Sequence, residues 1–413
     1  MAIKALIYSL LLICVSIAIS CSQPVPTIPP AAPSKKAVKT TPEVNIQYTW
    51  QATQDSLHLH LLFLDYSRVM DLHRTTTSLS YQVSGNKTIV LSDTILIDKQ
   101  ERPLHHVSDE GIYLKVSIPH LAVAAGNILH LKLWQNFAGE TSMHSAFKIE
   151  LQPEMLTKKG LLVTASGEPQ IQNHITTSDK LVLQNPDSAV TMAVYYFKPE
   201  FSPAIPPMAE PPTANIRTLT PQDTLFVTAQ DTFILDREGL YMLWADKPYA
   251  KGLLVEPGFF PKVSMANEML QPLIYLTTSA ERDKLFKASD TKSAVDNFWL
   301  NVAGEKHLAR ELIRTYYGRV EHANKLYTSH KPGWATDRGM IYLIYGPPSD
   351  ISRVAKTETW IYRESEMHPY IKFVFTKKEN NFTENHYELL RRREYEESWY
   401  STVAKWRAGI TDM

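Results

Sequence analysis

Cysteine is almost absent from this chain: there are two in 413 residues, Cys14 and Cys21. Both lie at the amino terminus, so the body beyond them has no thiol for a disulfide, a thiolate nucleophile or a cysteine-ligated zinc. An excess of charge is missing too. The 43 Lys plus Arg balance 43 Asp plus Glu with no long block of either sign, which argues against the concentrated positive footprint a nucleic-acid partner requires. There is no His-Glu-x-x-His zinc signature, no phosphate loop with its Lys and no nucleophile elbow. The expectation is a protein that is not an enzyme and holds no metal or cofactor.

What is present begins with a leader. Lys4 precedes the apolar run from Ala5 to Ile19, and Ala18-Ile19-Ser20-Cys21 supplies the small-residue end at which a bacterial lipoprotein leader is cleaved. The run is near the lower limit for a bilayer span and is interrupted by Ser9 and Ser16, so residues 1–20 read as a signal peptide and Cys21 as the lipidated residue. Residues 21–43, rich in Pro, Ala and Ser, read as a tether that lets a folded body stand away from the membrane.

Strands dominate the next two hundred residues. Leu57, Leu59 and Leu61 alternate with His58, His60 and Leu62, and Ile112, Leu114, Val116 and Ile118 alternate with Tyr113, Lys115 and Ser117. Turn signals at Ser84-Gly85-Asn86, Asp109-Glu110-Gly111 and Ala125-Gly126-Asn127 separate the runs, predicting an antiparallel sandwich over 44–155. Val190, Met192, Val194 and Tyr196, then Leu225 to Val227, Phe233 to Leu235 and Tyr241 with Leu243, predict a second over 156–260, with Gly239 in a turn. The Pro-rich interval Phe201–Pro221 reads as a long extended connection inside it.

The pattern changes beyond Pro261. Ser279 is expected to cap a short helix containing Leu285 and Phe286. Leu308, Leu312, Tyr316, Val320, Ala323 and Tyr327 share a helical face. The apolar series Met340 to Tyr345 is expected as a strand, broken by Gly346 and the pair Pro347-Pro348. Trp360 and Tyr362 lie in one further strand and Ile371 to Phe375 in another. Tyr395, Trp399, Val403 and Trp406 mark a last helix that Gly409 stops. The fold class expected is multidomain α+β: two antiparallel sandwich-like domains followed by a mixed α/β domain over 261–413.

Gly333-Trp334-Ala335-Thr336-Asp337 runs on into Arg338-Gly339 and then Tyr345-Gly346-Pro347-Pro348, with Trp360 and Tyr362 in a later aromatic strand. On these residues the last third resembles the GWxTD domain family of exported Bacteroidota proteins. The resemblance implies an exported protein in an envelope with an outer membrane, and no settled catalytic role. Ser22, Gln23, Pro24 and Val25 lack the acidic signal of surface-exported lipoproteins in that group, which favours the periplasmic leaflet. Tyr345 to Pro348, Asp350 and Trp360-Ile361-Tyr362 are also loosely similar to small lipoproteins of the outer-membrane assembly machinery. Asp55-Ser56-Leu57, Asp93-Thr94-Ile95, Asp187-Ser188-Ala189 and Asp223-Thr224-Leu225 resemble the O-glycosylation acceptor pattern of periplasmic Bacteroidota proteins.

Asp337 and Arg338 are the first residues to weigh for chemistry. Flanked by Gly333 and Gly339, they fit better as a backbone cap and a bidentate structural ion pair. Glu358, Glu364, Glu366 and His368 form an acidic stretch with no spacing that joins them to Asp337, so exposed charge is the simpler account. His58 and His60 share a strand face, and His105 and His106 point oppositely. Trp334, Tyr342, Tyr345 and Trp360 are either core or an aromatic interface, with Pro347 and Pro348 stiffening the adjoining edge. The expected function is a non-enzymatic outer-membrane lipoprotein that binds or scaffolds proteins of a periplasm-facing assembly, secretion or transport complex. The alternative is a hydrolase or carbohydrate-binding protein acting on envelope polymers.

Overall fold

The computed structural model describes residues 44–65, 72–86, 88–97, 111–136, 143–198, 201–210, 219–363 and 370–410. The leader, Cys21, the tether, His105, His106, Glu364, Glu366 and His368 lie outside them.

The first module runs β1 (Val44–Ala52), β2 (Ser56–Asp65), the helical turn α1 (Leu72–Thr75), β3 (Thr76–Gly85), β4 (Thr88–Leu96), β5 (Gly111–Pro119), β6 (Asn127–Gln135) and β7 (Met143–Leu151). Two antiparallel sheets, ordered β1-β2-β5 and β4-β3-β6-β7, face each other. Leu57, Leu59, Leu61 and Phe63 from one meet Leu79, Val83, Leu129, Leu131 and Leu133 from the other, as period-2 alternation dictates. Leu62 and Leu64 point out of that core and are nonetheless fully buried, because they pack into the carboxy-terminal core. The nearly continuous apolar run in β2 therefore reflects a strand covered on both faces.

The second module contains β8 (Leu161–Thr164), β9 (His174–Thr176), β10 (Lys180–Gln184), β11 (Thr191–Phe197), β12 (Asp223–Thr228), β13 (Thr232–Ile234), β14 (Gly239–Leu243) and β15 (Lys251–Glu256). Its sheets are ordered β13-β10-β8 and β12-β11-β14-β15-β9, with Leu181, Leu183, Val194, Tyr241 and Leu253 between them. All pairings are antiparallel except β9 with β15. Gly239, expected in a turn, is the first residue of β14. Where the two sandwiches meet, Lys158 is buried: its Nζ donates to Trp50 O (2.7 Å) and Thr49 Oγ1 (3.2 Å) and lies 4.5 Å from the Trp244 ring centroid. Burial first, and the nearby Lys251 second, push this ammonium well below the usual lysine range.

The third region contains α2 (Ala266–Leu270), α3 (Ser279–Phe286), α4 (Thr291–Ala303), α5 (Lys306–Tyr327), α6 (Asp337–Tyr345), β16 (Asp350–Val354), β17 (Thr357–Tyr362), β18 (Ile371–Lys377), β19 (Tyr387–Leu389) and α7 (Glu396–Arg407). The strands form one antiparallel sheet in chain order. Thr278, one residue before the expected Ser279, caps α3: its Oγ1 accepts from Glu281 N (3.3 Å) and its N–H donates to Glu281 Oε2 (2.9 Å). Leu312, Tyr316, Val320, Ala323 and Tyr327 form the buried face of α5. The series Met340 to Tyr345 is helical, correcting the expected strand. Every residue of α6 is buried, so no polar face breaks the apolar run, and a short run without periodicity does not distinguish strand from helix. Among the described residues no helix is long and apolar enough to cross a membrane.

Candidate functional site

The motif is a hinge of backbone built between two helices. Its turn, Gly333–Ala335, is a single 3₁₀ turn after α5, and Thr336 then starts α6. Thr336 Oγ1 donates to Gly333 O (2.8 Å) and accepts from Gly339 N–H (3.1 Å), so one hydroxyl closes the turn and caps the helix. Gly333 N–H donates to Thr328 Oγ1 and Trp334 N–H to Asn324 Oδ1, both 3.1 Å, fastening the turn to the end of α5. A Cβ on Gly333 would lie 1.8 Å from Ala323 O, and one on Gly339 1.8 Å from Gly333 O. The glycines are therefore required for backbone-to-backbone contact.

Asp337 and Arg338 point into a polar core beneath this turn. Asp337 takes a bidentate ion pair from Arg391, Nη2 to Oδ1 at 2.6 Å and Nη1 to Oδ2 at 3.0 Å, and also accepts from Leu389 N–H (2.7 Å). Both oxygens are thus committed to fixing β19 and the segment after it. Arg338 lies 4.0 Å from the Tyr387 ring centroid, donates to Asn385 O (3.0 Å) and to Asn385 Oδ1, and stands 3.6 Å from Glu358 Oε1. Glu358 is buried, which corrects the expectation of exposed charge. It also accepts from Arg353 Nε (2.9 Å) and Trp360 Nε1 (2.7 Å). Burial pushes its carboxyl up, but Arg338 and Arg353 overcome this and hold it below the usual carboxylate range. Sequence spacing hid the Arg338–Glu358 pairing because it crosses from helix to sheet.

The rest of the motif finishes the carboxyl end of α6. Arg319 Nη1 donates to Leu343 O and Ile344 O, both 3.1 Å, and Trp406 Nε1 to Ile344 O (3.0 Å). Tyr362 OH reaches Gly346 O at 2.9 Å. These donors satisfy carbonyls that a helix leaves unpaired. Tyr345 and Trp360 lie in the aromatic core, with ring centroids 4.9 Å from Phe373 and 4.8 Å from Phe375 respectively.

Gly333, Thr336, Asp337, Arg338, Tyr345, Gly346, Pro348, Trp360 and Tyr362 are buried; Trp334 is half-buried and Pro347 exposed. The aromatic patch weighed as an interface is therefore core, except for the rim of Trp334. Sequence reasoning missed Arg391, Asn385 and Leu389; the run Arg391-Arg392-Arg393 was a visible signal of cations placed to meet carboxylates.

The other candidates are dispersed. His58 Nδ1 is 2.8 Å from Ser117 Oγ and His60 Nδ1 2.6 Å from Tyr113 OH. Among the described residues no three His, Cys, Asp or Glu side chains are grouped to hold a metal ion. Of the four acceptor hydroxyls, Thr94, Ser188 and Thr224 are exposed and Ser56 is half-buried.

No curated protein matches the sequence. Among solved structures with some similarity, one described as "Marsupial T cell receptor" covers 54% of this chain and 76% of its own at 11% identity, with a TM-score of 0.16, too low to assign a shared fold. The family comparison is specific: residues 239–408 match the GWxTD domain. The span holds β14, β15 and the whole arrangement from α2 to α7, so the motif turn and its buried partners lie inside the matched region, a GWxTD domain.

Proposed function

We propose that this protein is a lipid-anchored scaffold at the outer membrane, facing the periplasm, which binds proteins of an envelope assembly, secretion or transport complex and is not itself an enzyme. The observation that carries the reading is an open sheet edge. Among the described strands β4 pairs only with β3, and it exposes Ile89 (64%), Val90 (48%) and Leu96 (80%). An edge of nine residues without Lys or Pro is a template for a partner strand. Edge strand β12, with Phe226 72% exposed, offers a second. The commitment of both Asp337 oxygens to Arg391 and Leu389 supports a structural role for the motif, and the lipobox at Cys21 followed by a Pro-rich tether supports the anchoring.

The alternative, carbohydrate binding on the outer sheet face, draws on Trp134, whose Nε1 donates to Ser80 Oγ (3.0 Å) beside His144 on a polar sheet surface. Crosslinking of the lipidated protein in native envelopes separates the two. A stoichiometric protein partner is expected, lost in the Val90→Lys, Leu96→Lys variant with its melting temperature unchanged. Recovery as a monomer, with binding of envelope polysaccharide abolished by Trp134→Ala, would replace the scaffold with the alternative.

A further inference from the structure

Strand β12 reads the same in both directions. Thr224-Leu225-Phe226-Val227-Thr228 has a Thr at each end, a branched aliphatic residue inside each Thr and Phe226 at the centre. Among the described strands only β11 pairs with it, so its other side is a sheet edge. Which main-chain groups line that edge follows from the register. Thr191 stands opposite Thr228, and Ala229 N–H donates to Val190 O (2.9 Å). Counting back from that bond, Val227 and Leu225 turn their N–H and C=O toward β11, while Thr224, Phe226 and Thr228 turn theirs to the open side. The free donors and acceptors thus lie on three residues placed symmetrically about Phe226.

A strand of this kind is completed by its own copy. In an antiparallel pair with Phe226 on a two-fold axis, Phe226 exchanges both hydrogen bonds with the partner's Phe226, and Thr224 does so with the partner's Thr228. Like then faces like. Ring meets ring and hydroxyl meets hydroxyl on the outer face, where Phe226 is 72% exposed, and Leu225 meets the partner's Val227 on the face that lines the module's core. The residues that guard sheet edges, Lys and Pro, are absent from β12, and its one charge, Asp223, is held by Arg237 Nη2 at 2.7 Å. No like charges are therefore opposed along the paired strands. Phe226 shows about 150 Å² to water. Two such rings with two six-residue edges bury on the order of 1,000 Å², the lower limit for a specific interface, so the association is specific and weak.

We propose that β12 pairs with the β12 of a second copy of this chain, Phe226 opposite Phe226, joining two five-stranded sheets into one across a two-fold axis. The proposal rests on the reading of β12 as an open edge and not on the envelope partner assigned to β4.

The test is disulfide trapping in the full chain in detergent, with Cys14→Ser and Cys21→Ser so that no other thiol remains. In an equimolar mixture of chains carrying Thr224→Cys or Thr228→Cys, the two thiols sit on directly opposed residues, about 5.5 Å apart at Cα. Either variant alone holds its thiols four residues out of register, roughly 13 Å, beyond a disulfide's reach. The mixture should therefore crosslink at least ten-fold faster than either variant alone. Phe226→Asp in both chains should slow it at least ten-fold with the melting temperature unchanged, since the ring is exposed. Equal rates in mixture and single variants, or a rate indifferent to Phe226→Asp, overturn the pairing. Capture of an envelope protein by these thiols without the mixed dimer overturns it too. Val90→Lys with Leu96→Lys, which tests the partner at β4, should leave the rate unchanged, so either proposal can fail alone; loss of the crosslink there, and not with Phe226→Asp, overturns β12 as the interface.

Discussion

Alanine at Gly333 or Gly339 probes the tightest contacts in the motif. The Cβ on Gly333 would sit 1.8 Å from Ala323 O and 2.7 Å from Asn324 Cα, and that on Gly339 1.8 Å from Gly333 O and 3.0 Å from Trp334 Cα. All four atoms are backbone, so no side chain can rotate away, and each carbonyl must retreat by about 1.2 Å to restore the 3.0 Å below which such contacts essentially do not occur. Overpacking costs about 1–3 kcal/mol where side chains adjust; against the backbone of α5 we expect the upper end, ~3 kcal/mol for each variant. For the single body that the sandwiches and the motif region share, on the order of 370 residues at about 2.1 cal/mol/K each, that is a fall in Tm of about 4 °C for each variant. Gly318, in the middle of α5, is the internal standard, because a Cβ there meets nothing within 4 Å. Alanine at that position should stabilise by about 0.5–1 kcal/mol through helix propensity. The double variant should lose less than the sum, since moving the 333–335 turn relieves both collisions. Thermal melts followed by circular dichroism in the far and near ultraviolet decide the matter. If Gly333→Ala and Gly339→Ala melt with Gly318→Ala, at or above the natural chain, the contact argument is refuted.

Asp337→Ala leaves the half-buried Arg391 guanidinium without its carboxylate and Leu389 N–H without its acceptor, and should cost about 3 kcal/mol in urea unfolding; a double-mutant cycle with Arg391→Ala should recover a large coupling term. Glu256 is pushed up to about 8 by burial first, then by Glu238 and Glu268. The native state therefore holds a proton that the unfolded chain releases near 4.5, so this contribution to stability is full below about pH 4.5 and is lost as pH rises through 8. Glu256→Gln should flatten that decline, and an unaltered pH profile would contradict it. Burial first holds His60 and His174 at about 4 and His330 at about 3, so all three are neutral in the folded protein. Their contribution is full above about pH 6.5 and is lost as pH falls toward 4 and 3; His174→Gln should flatten the profile across that window in urea titrations at stepped pH.

The sheets were legible because one-sided burial leaves a period of two, as in Leu57, Leu59 and Leu61. Helix α5 was legible for the matching reason, with Leu312, Tyr316 and Val320 on one face. Helix α6 was not, since burial all round erases the periodicity on which the reading rests. The family motif was recognisable from Gly333 to Pro348, but its partners were not. Asp337 meets Arg391 and Leu389, Arg338 meets Glu358 and Asn385, and these contacts join segments far apart in the chain. Composition marked residues 201–210 as extended and carried no sign of what they lie against.

A span of sequence that recurs across proteins need not be a body that folds by itself. The matched residues begin at Gly239 and so take β14 and β15 away from β11 and β9, their neighbours in one continuous sheet. They also omit Ala204, whose N–H donates to Ala335 O, and the side chains of Leu62 and Leu64 that help fill the carboxy-terminal core. The matched span is here completed by residues that precede it. The GWxTD sequence is one part of a core to which the preceding sandwiches also contribute, and a change in those front modules reaches the hinge without altering a letter of its motif.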